Sequence, residues 1–235
     1  MSLLRWWKPC APTLGAAQRE RLAALPVAAP LDDGPLRLQR LVVLDLETSG
    51  LNTQRDQVLS IGAVVIEDGA IDLGQQFDCT LQQPGHRVSS SVLIHGLGPS
   101  AIAAGRDPAH ALLEFMEFLG DSPLLAFHAP FDQRMLARAL KQSLGHRLQH
   151  PFLDVAELAP LLNPGVHFRH GGLDDWTGHF GLQAQQRHSA CADALVTAEL
   201  ALILFSQARR QGLDSLRELD QRLSQRRRRQ QSHAL

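Results

Sequence analysis

Apolar and polar positions fall into two regimes along this chain. Residues 40–47, RLVVLDLE, are apolar and β-branched and predict a buried strand. Residues 58–71, VLSIGAVVIEDGAI, predict a second strand with a turn at Glu67-Asp68-Gly69. The following DLGQQFDCTLQ predicts a third, and the short connections predict an antiparallel meander at one side of a sheet. The spacing then changes. Residues 108–120 are apolar at helical intervals, 123–127 form a short apolar strand, and 131–145 read as a helix capped by Gly145. Residues 154–164 and 171–182 predict short helices, the first stopped by Pro164. Residues 192–212 predict the longest helix, apolar on most faces and therefore largely buried. Strands first, then alternating helices and strands, predict an α/β domain with a mixed sheet flanked by helices.

The ends look different. Residues 1–38 read as an extension, with a helix at 15–25 and a linker rich in Pro, Asp and Gly; the core domain then covers 39–210. Residues 211–235 read as a basic tail. From Phe205 onward eight arginines face Asp214, Glu218 and Asp220, so a net charge of −1 hides a positive end and a negative remainder. The run Arg226–Arg229 is open to two readings, a solvated disordered tail or a set of phosphate contacts. No apolar run reaches the roughly 18–20 residues of a membrane span, and the first residues lack a signal-peptide core. Cys10, Cys79 and Cys191 fit neither a disulfide framework nor a zinc spacing. These features predict a cytoplasmic protein without membrane association. Trp6 and Trp7, between Arg5 and Lys8, have no assigned role.

The chemistry-bearing residues begin at the end of the first strand. Asp45 and Glu47 are two apart, so on a strand they share a face, while Leu44 and Leu46 point the other way. Two carboxylates on an otherwise apolar strand call for a partner, and a hard divalent cation is the natural one. A solvated strand end is the bland alternative. Asp132 follows Pro130 at a strand-to-helix turn, where an aspartate is favourable through the helix dipole alone. His188 and Asp193 are five apart, about 140° around a regular helix, and cannot both face one site from it. The consistent arrangement puts His188 on the preceding loop and Asp193 in the helix, among Ala194, Leu195 and Val196. A histidine cap and a surface aspartate are the alternative. His167, His170 and His179 carry no CxxC or HExxH partner, which argues against zinc.

Taken in order, Asp-x-Glu on the first strand, Asp at a strand–helix turn and His-x₄-Asp near the last long helix resemble the DEDDh branch of the DnaQ-like 3′→5′ exonucleases. The resemblance spans about residues 40–206. Asp45-Leu46-Glu47-Thr48-Ser49-Gly50 is similar to the family's D-x-E-T-T-G, Ile61-Gly62-Ala63 to its I-G-A, and Ile94-His95-Gly96-Leu97 to its I-H-G-I. Leu173-Asp174 with Phe180-Gly181-Leu182 is similar to its L-D…F-G-I helix. The second motif departs: many members read H-N-A-x-F-D, where this chain has Phe127-His128-Ala129-Pro130-Phe131-Asp132. Ser90 and Ser91 stand where proofreading subunits carry an acidic residue.

The resemblance implies a ribonuclease H-like five-stranded sheet and two Mg²⁺ or Mn²⁺ ions. It implies that Asp45, Glu47 and Asp193 hold the first ion, with Asp45 bridging to the second. Asp132 would act largely through water, and His188 as general base. Thr48 would contact the terminal nucleotide, Leu51 wedge against its base, and His95 lie near its sugar or base. Phe127 and His128 would stack on or contact the strand. The implied activity is hydrolysis at nucleic-acid 3′ ends, with single-stranded DNA as substrate and nucleoside 5′-monophosphates as products. Two roles stay open, an autonomous exonuclease of DNA or RNA ends and a proofreading module bound to a DNA polymerase.

Overall fold

The computed structural model describes residues 13–83, 96–183 and 188–233. Trp6, Trp7, Cys10 and His95 therefore lie outside the described residues.

Five strands form one mixed sheet: β1 (Leu41–Thr48), β2 (Val58–Glu67), β3 (Ala70–Thr80), β4 (Leu124–Ala126) and β5 (Phe152–Asp154). Their spatial order is β3-β2-β1-β4-β5. The first three pair antiparallel, whereas β4 lies parallel to β1 and β5 parallel to β4. The β2–β3 hairpin turns through Asp68 (φ 52°) and Gly69 (φ 75°). Two consecutive left-handed residues match the twist of the strands they join. Strand β5 escaped the sequence reading because three residues after Pro151 carry no period to detect.

Helices cover both faces. In chain order they are α1 (Ala16–Ala23), α2 (Pro99–Ala103), α3 (Pro108–Leu119), α4 (Ala129–Leu144), α5 (Val155–Leu162), α6 (Leu173–His179), α7 (Ala190–Arg210) and α8 (Leu216–His233). Alternation along β1 splits the core in two. Val42, Leu44 and Leu46 join Leu112, Phe115, Met135 and Leu136 of α3 and α4 on one side. Leu41 and Val43 join Leu158 of α5, Leu200 and Leu204 of α7, and Leu219 and Leu223 of α8 on the other.

Both flanking segments pack on the domain. Residues 216–233 are an ordered helix whose Leu216, Leu219 and Leu223 are at most 1% exposed. The arginines masked this three- and four-residue leucine spacing in the composition. The 26–38 linker is also tied to the domain: Leu36 is buried, its N–H donates to the Asp214 carbonyl at 2.9 Å, and Arg217 pairs with Asp33. Helix α7 is long and apolar enough, by length and composition, to cross a membrane, although the sequence reading found no such run. Here it is a core helix packed on β1 and β2.

Candidate active site

Asp45 and Glu47 project from the face of β1 that α7 covers. Across the sheet Asp45 pairs with Gly62 and Glu47 with Ser60. Gly62 explains how α7 comes so near: a Cβ there would lie 2.0 Å from the carbonyl carbon of Ala190. The first residue of α7 thus rests directly on the backbone of β2, opposite Asp45. This seating delivers Asp193, in the first turn of α7, onto the two strand carboxylates. One oxygen from each of Asp45, Glu47 and Asp193 lies within 4.8 Å of the others. Asp193 is 7% exposed, and Asp45 and Glu47 are half-buried.

Three carboxylates this close repel one another by roughly 3–4 kcal/mol per pair at an effective dielectric of about 20. Their arrangement fits a hard cation. Octahedral oxygen ligands about 2.1 Å from an ion stand roughly 3.0 Å apart when adjacent and 4.2 Å when opposite. An all-oxygen donor set matches Mg²⁺ or Mn²⁺ better than a soft metal. Among the described residues, His167, His170 and His179 form no such group.

His188 occupies the loop one residue before Ser189, the N-cap of α7. Its backbone is left-handed (φ 67°), its N–H donates to Asp193 Oδ2 at 3.2 Å, and its side chain is exposed. The aspartate therefore has two duties, facing the other carboxylates and fixing the loop that bears the histidine.

Asp132 enters from the opposite layer, in the first turn of α4, and is 4% exposed. Burial pushes its carboxyl well above the usual range, and Asp154 and Glu47 add to this, while its own N–H and that of Leu46 oppose it. It borders the three-carboxylate group from beneath the end of β1 without being part of it. The turn before it is held by Asp154, the last residue of β5. One oxygen of Asp154 accepts from His128 N–H at 3.1 Å and from Ala156 N–H at 3.0 Å, tying the starts of α4 and α5 together. His128 is left-handed (φ 65°) and exposed. Phe127 is 8% exposed and belongs to the core, with its ring against the edge of His128 at a centroid distance of 4.8 Å. Only His128 presents a ring to solvent, because adjacent residues here point to opposite sides.

A bulge between Glu47 and Thr48 ends the β1–β2 ladder and opens the 49–57 loop. Asp56 organises it, accepting from Ser49 Oγ at 3.0 Å and from Asn52 N–H at 2.7 Å. Thr48 is buried and donates through Oγ1 to the Gly50 carbonyl at 2.8 Å. Leu51 is held at the tip, 85% exposed. His95 falls outside the described residues.

The structure thus gathers Asp45, Glu47, Asp132, Asp193 and His188 at one end of the sheet, with Thr48, Leu51 and His128 around them. Asp154 and Asp56 escaped the sequence reading. The signal for Asp154 was its place as helix N-cap in Leu153-Asp154-Val155-Ala156. Asp56 lay in a polar loop where nothing in the pattern distinguished it.

Comparison with known proteins agrees with this geometry. The RNase T exonuclease family matches residues 42–201, more than half of the chain. A PolC-type DNA polymerase III from Thermotoga maritima is 33% identical over 190 residues, covering 80% of this chain and 14% of that protein. A DNA polymerase III subunit epsilon-like protein from Rhodobacter capsulatus is 33% identical over 187 residues, covering 78% of this chain and 26% of its own length. The chain thus spans only a minor part of these relatives. Among solved structures, E. coli exonuclease I with single-stranded DNA superposes with a TM-score of 0.63 at 18% identity, over 74% of this chain and 42% of that one. Exonuclease X with 5′-overhanging duplex DNA gives 0.57 at 21% identity, over 72% of this chain and 92% of that one. With its ribonuclease H-like fold and the family match across its sheet and carboxylates, the chain belongs to the DnaQ-like 3′→5′ exonuclease family.

Proposed function

We propose that this protein is a 3′→5′ exonuclease that hydrolyses the terminal phosphodiester bond of single-stranded DNA and releases nucleoside 5′-monophosphates. The observation that carries this reading is the meeting of Asp45, Glu47 and Asp193 oxygens within 4.8 Å at a sheet end. Asp45, Glu47 and Asp193 would hold Mg²⁺ or Mn²⁺, with Asp132 supporting a second ion through water. Two such ions, when bound, supply charge stabilisation to both the attacking and the leaving oxygen of an in-line displacement.

The remaining work falls to the chain. His188 accepts a proton from the attacking water, a task suited to histidine near neutral pH. The water oxygen bonds to phosphorus, the P–O3′ bond breaks, and O3′ of the penultimate nucleotide leaves and takes up a proton. Leu51, held out by the Asp56-bonded loop, meets the terminal base, and Thr48 shapes the backbone that contacts its nucleotide. The exposed ring of His128, with Phe127 packed against it, contacts the strand, and His95 the terminal sugar or base. The reading places the enzyme in the cytoplasm.

The test is a digest of end-labelled DNA and RNA, single- and double-stranded, with Mg²⁺ or Mn²⁺. Asp45→Ala and Asp193→Ala should each lower mononucleotide release by about a thousandfold or more, about 4 kcal/mol, with the fold intact by circular dichroism. Undiminished release from either variant would sink the assignment. The matches to PolC-type and epsilon-like polymerase chains favour a second reading, proofreading in association with a polymerase. A stable complex on size exclusion with purified polymerase would support it. Release from free oligonucleotides without a partner supports the autonomous enzyme.

A further inference from the structure

Helix α8 is electrically lopsided. Its acids, Glu218 and Asp220, lie in the first turns, whereas residues 221–233 contain Arg222 and Arg226–Arg229 and no carboxylate. The helix begins far from the carboxylates: Ser215 bridges Pro35, which precedes the N-terminal end of β1. Its far end reaches α5, where Arg227 Nε donates to Glu157 Oε2 at 2.7 Å. Glu157 is in the first turn of α5, directly after Asp154, and Asp154 also contributes to holding the Arg227 guanidinium above its ordinary value, behind the Glu157 hydrogen bond. The Glu157 pair therefore anchors the basic end of α8 at the active-site end of the sheet.

Arg227 alone among Arg226–Arg229 has an ion pair among the described residues. Arg222, Arg226 and Arg229 are spaced four and three apart and lie within about 60° on one helix face. Arg226 lines a groove with Pro160, Pro164, Val166 and His167, on the loop that continues to Arg169 and His170. Leucine packing and the Glu157 pair already hold the helix, so these arginines are not needed to seat it. Arginines in a last turn do favour the helix dipole, but that effect is confined to about one turn, and Arg222 and Arg226 lie outside it.

We propose that the Arg222–Arg226–Arg229 face of α8, with the 167–170 loop, is a phosphate-binding track for the nucleic-acid strand whose 3′ end occupies the carboxylate site. This rests on the exonuclease reading for the placement of that end. The contacts are to backbone phosphates, independent of base sequence. The occupant can be the single strand itself or the duplex behind it.

The test is equilibrium binding, independent of turnover: fluorescence anisotropy of labelled oligonucleotides in EDTA at 50–200 mM salt. The probes are a single-stranded 25-mer, a recessed duplex and a tetranucleotide. Replacing Arg222, Arg226 and Arg229 by Gln should weaken 25-mer binding about tenfold and flatten the log Kd against log salt slope by about 2, from roughly 0.7 per lost single-strand contact. The tetranucleotide should show a much smaller change, and a larger loss on the duplex would identify the duplex as the occupant. An unchanged Kd and slope on both long probes overturns the proposal and leaves the face to a protein partner. Equal loss on tetranucleotide and 25-mer also overturns it. Should the triple variant fail to fold, Arg222→Gln with Arg229→Gln alters only exposed side chains and should still flatten the slope by about 1.4. Failure of the exonuclease reading would appear separately, as no mononucleotide release by the unaltered protein.

Discussion

At the scale of single residues, the site is a balance of charges that the fold holds together. Asp193 faces two other carboxylates while its Oδ2 accepts from the His188 backbone. Removing it would relax repulsion and release the histidine loop together. A different residue illustrates burial at the opposite end of the sheet. His150 is 5% exposed, its Nε2 donates to the Gly120 carbonyl at 2.9 Å, and its buried Nδ1 has no partner among the described residues. Burial lowers its pKa, against smaller raising effects from the Gly120 bond and Asp121; neighbouring His146 is lowered too, by burial first and then by His150. A histidine whose folded pKa is depressed binds its proton more readily when unfolded. Its stabilising effect is full above the unfolded value near 6.5 and is lost as pH falls from there toward the folded value. Stability should therefore drop between pH 7 and 5, by at most about 1.4 kcal/mol per pH unit for each histidine, read as a lowered melting temperature. His150→Gln should make that drop shallower; an identical pH profile in the variant would refute the assignment.

At the scale of elements, one glycine sets the distance between a helix and a sheet. A Cβ at position 62 would sit 2.0 Å from Ala190 backbone, so no side chain fits without moving α7. Gly62→Ala should push the start of α7 outward and carry Asp193 and His188 with it. A displacement of about 1 Å is enough to cost on the order of a hundredfold in kcat/KM, with overpacking costing about 1–3 kcal/mol in stability. Thermal melts with and without Mg²⁺ would check this, since the metal-induced rise should shrink along with turnover. Retention of full activity would show that α7 tolerates the shift. Several elements were legible beforehand because they carry a clear period: β1, the β2–β3 hairpin with its Asp-Gly turn, and α4 with its Gly145 cap. β5 was not, since three residues give no pattern. Phe127 and His128 are adjacent in the sequence, and only the left-handed backbone at 128 shows which of the two rings turns outward.

At the scale of the whole molecule, the segment just before β1 and helix α8 close one side of the core. Leu36 from the segment before β1 and Leu216, Leu219 and Leu223 from α8 share the cluster formed by β1, α5 and α7. Leu219→Ala should cost about 2–5 kcal/mol, read as a lowered urea midpoint. A chain ending at residue 212 should lose cooperative unfolding, because it would bare the buried faces of α7 and Leu36. If that shortened chain melted like the full one, α8 would be an accessory to the core rather than part of it. The alternation of apolar strands and helices was sufficient for the α/β class, and Asp45, Glu47 and Asp193 stood out because a carboxylate in an apolar run has few physical justifications. Those are local properties, carried by spacing and by the cost of desolvating charge. Which carboxylates meet, that Asp154 steadies the turn before Asp132, and that an arginine-rich segment is a packed helix reaching the site are matters of distance between residues far apart in the chain. They depend on strand order and on one helix resting against a glycine, and a linear pattern holds no distances of that kind.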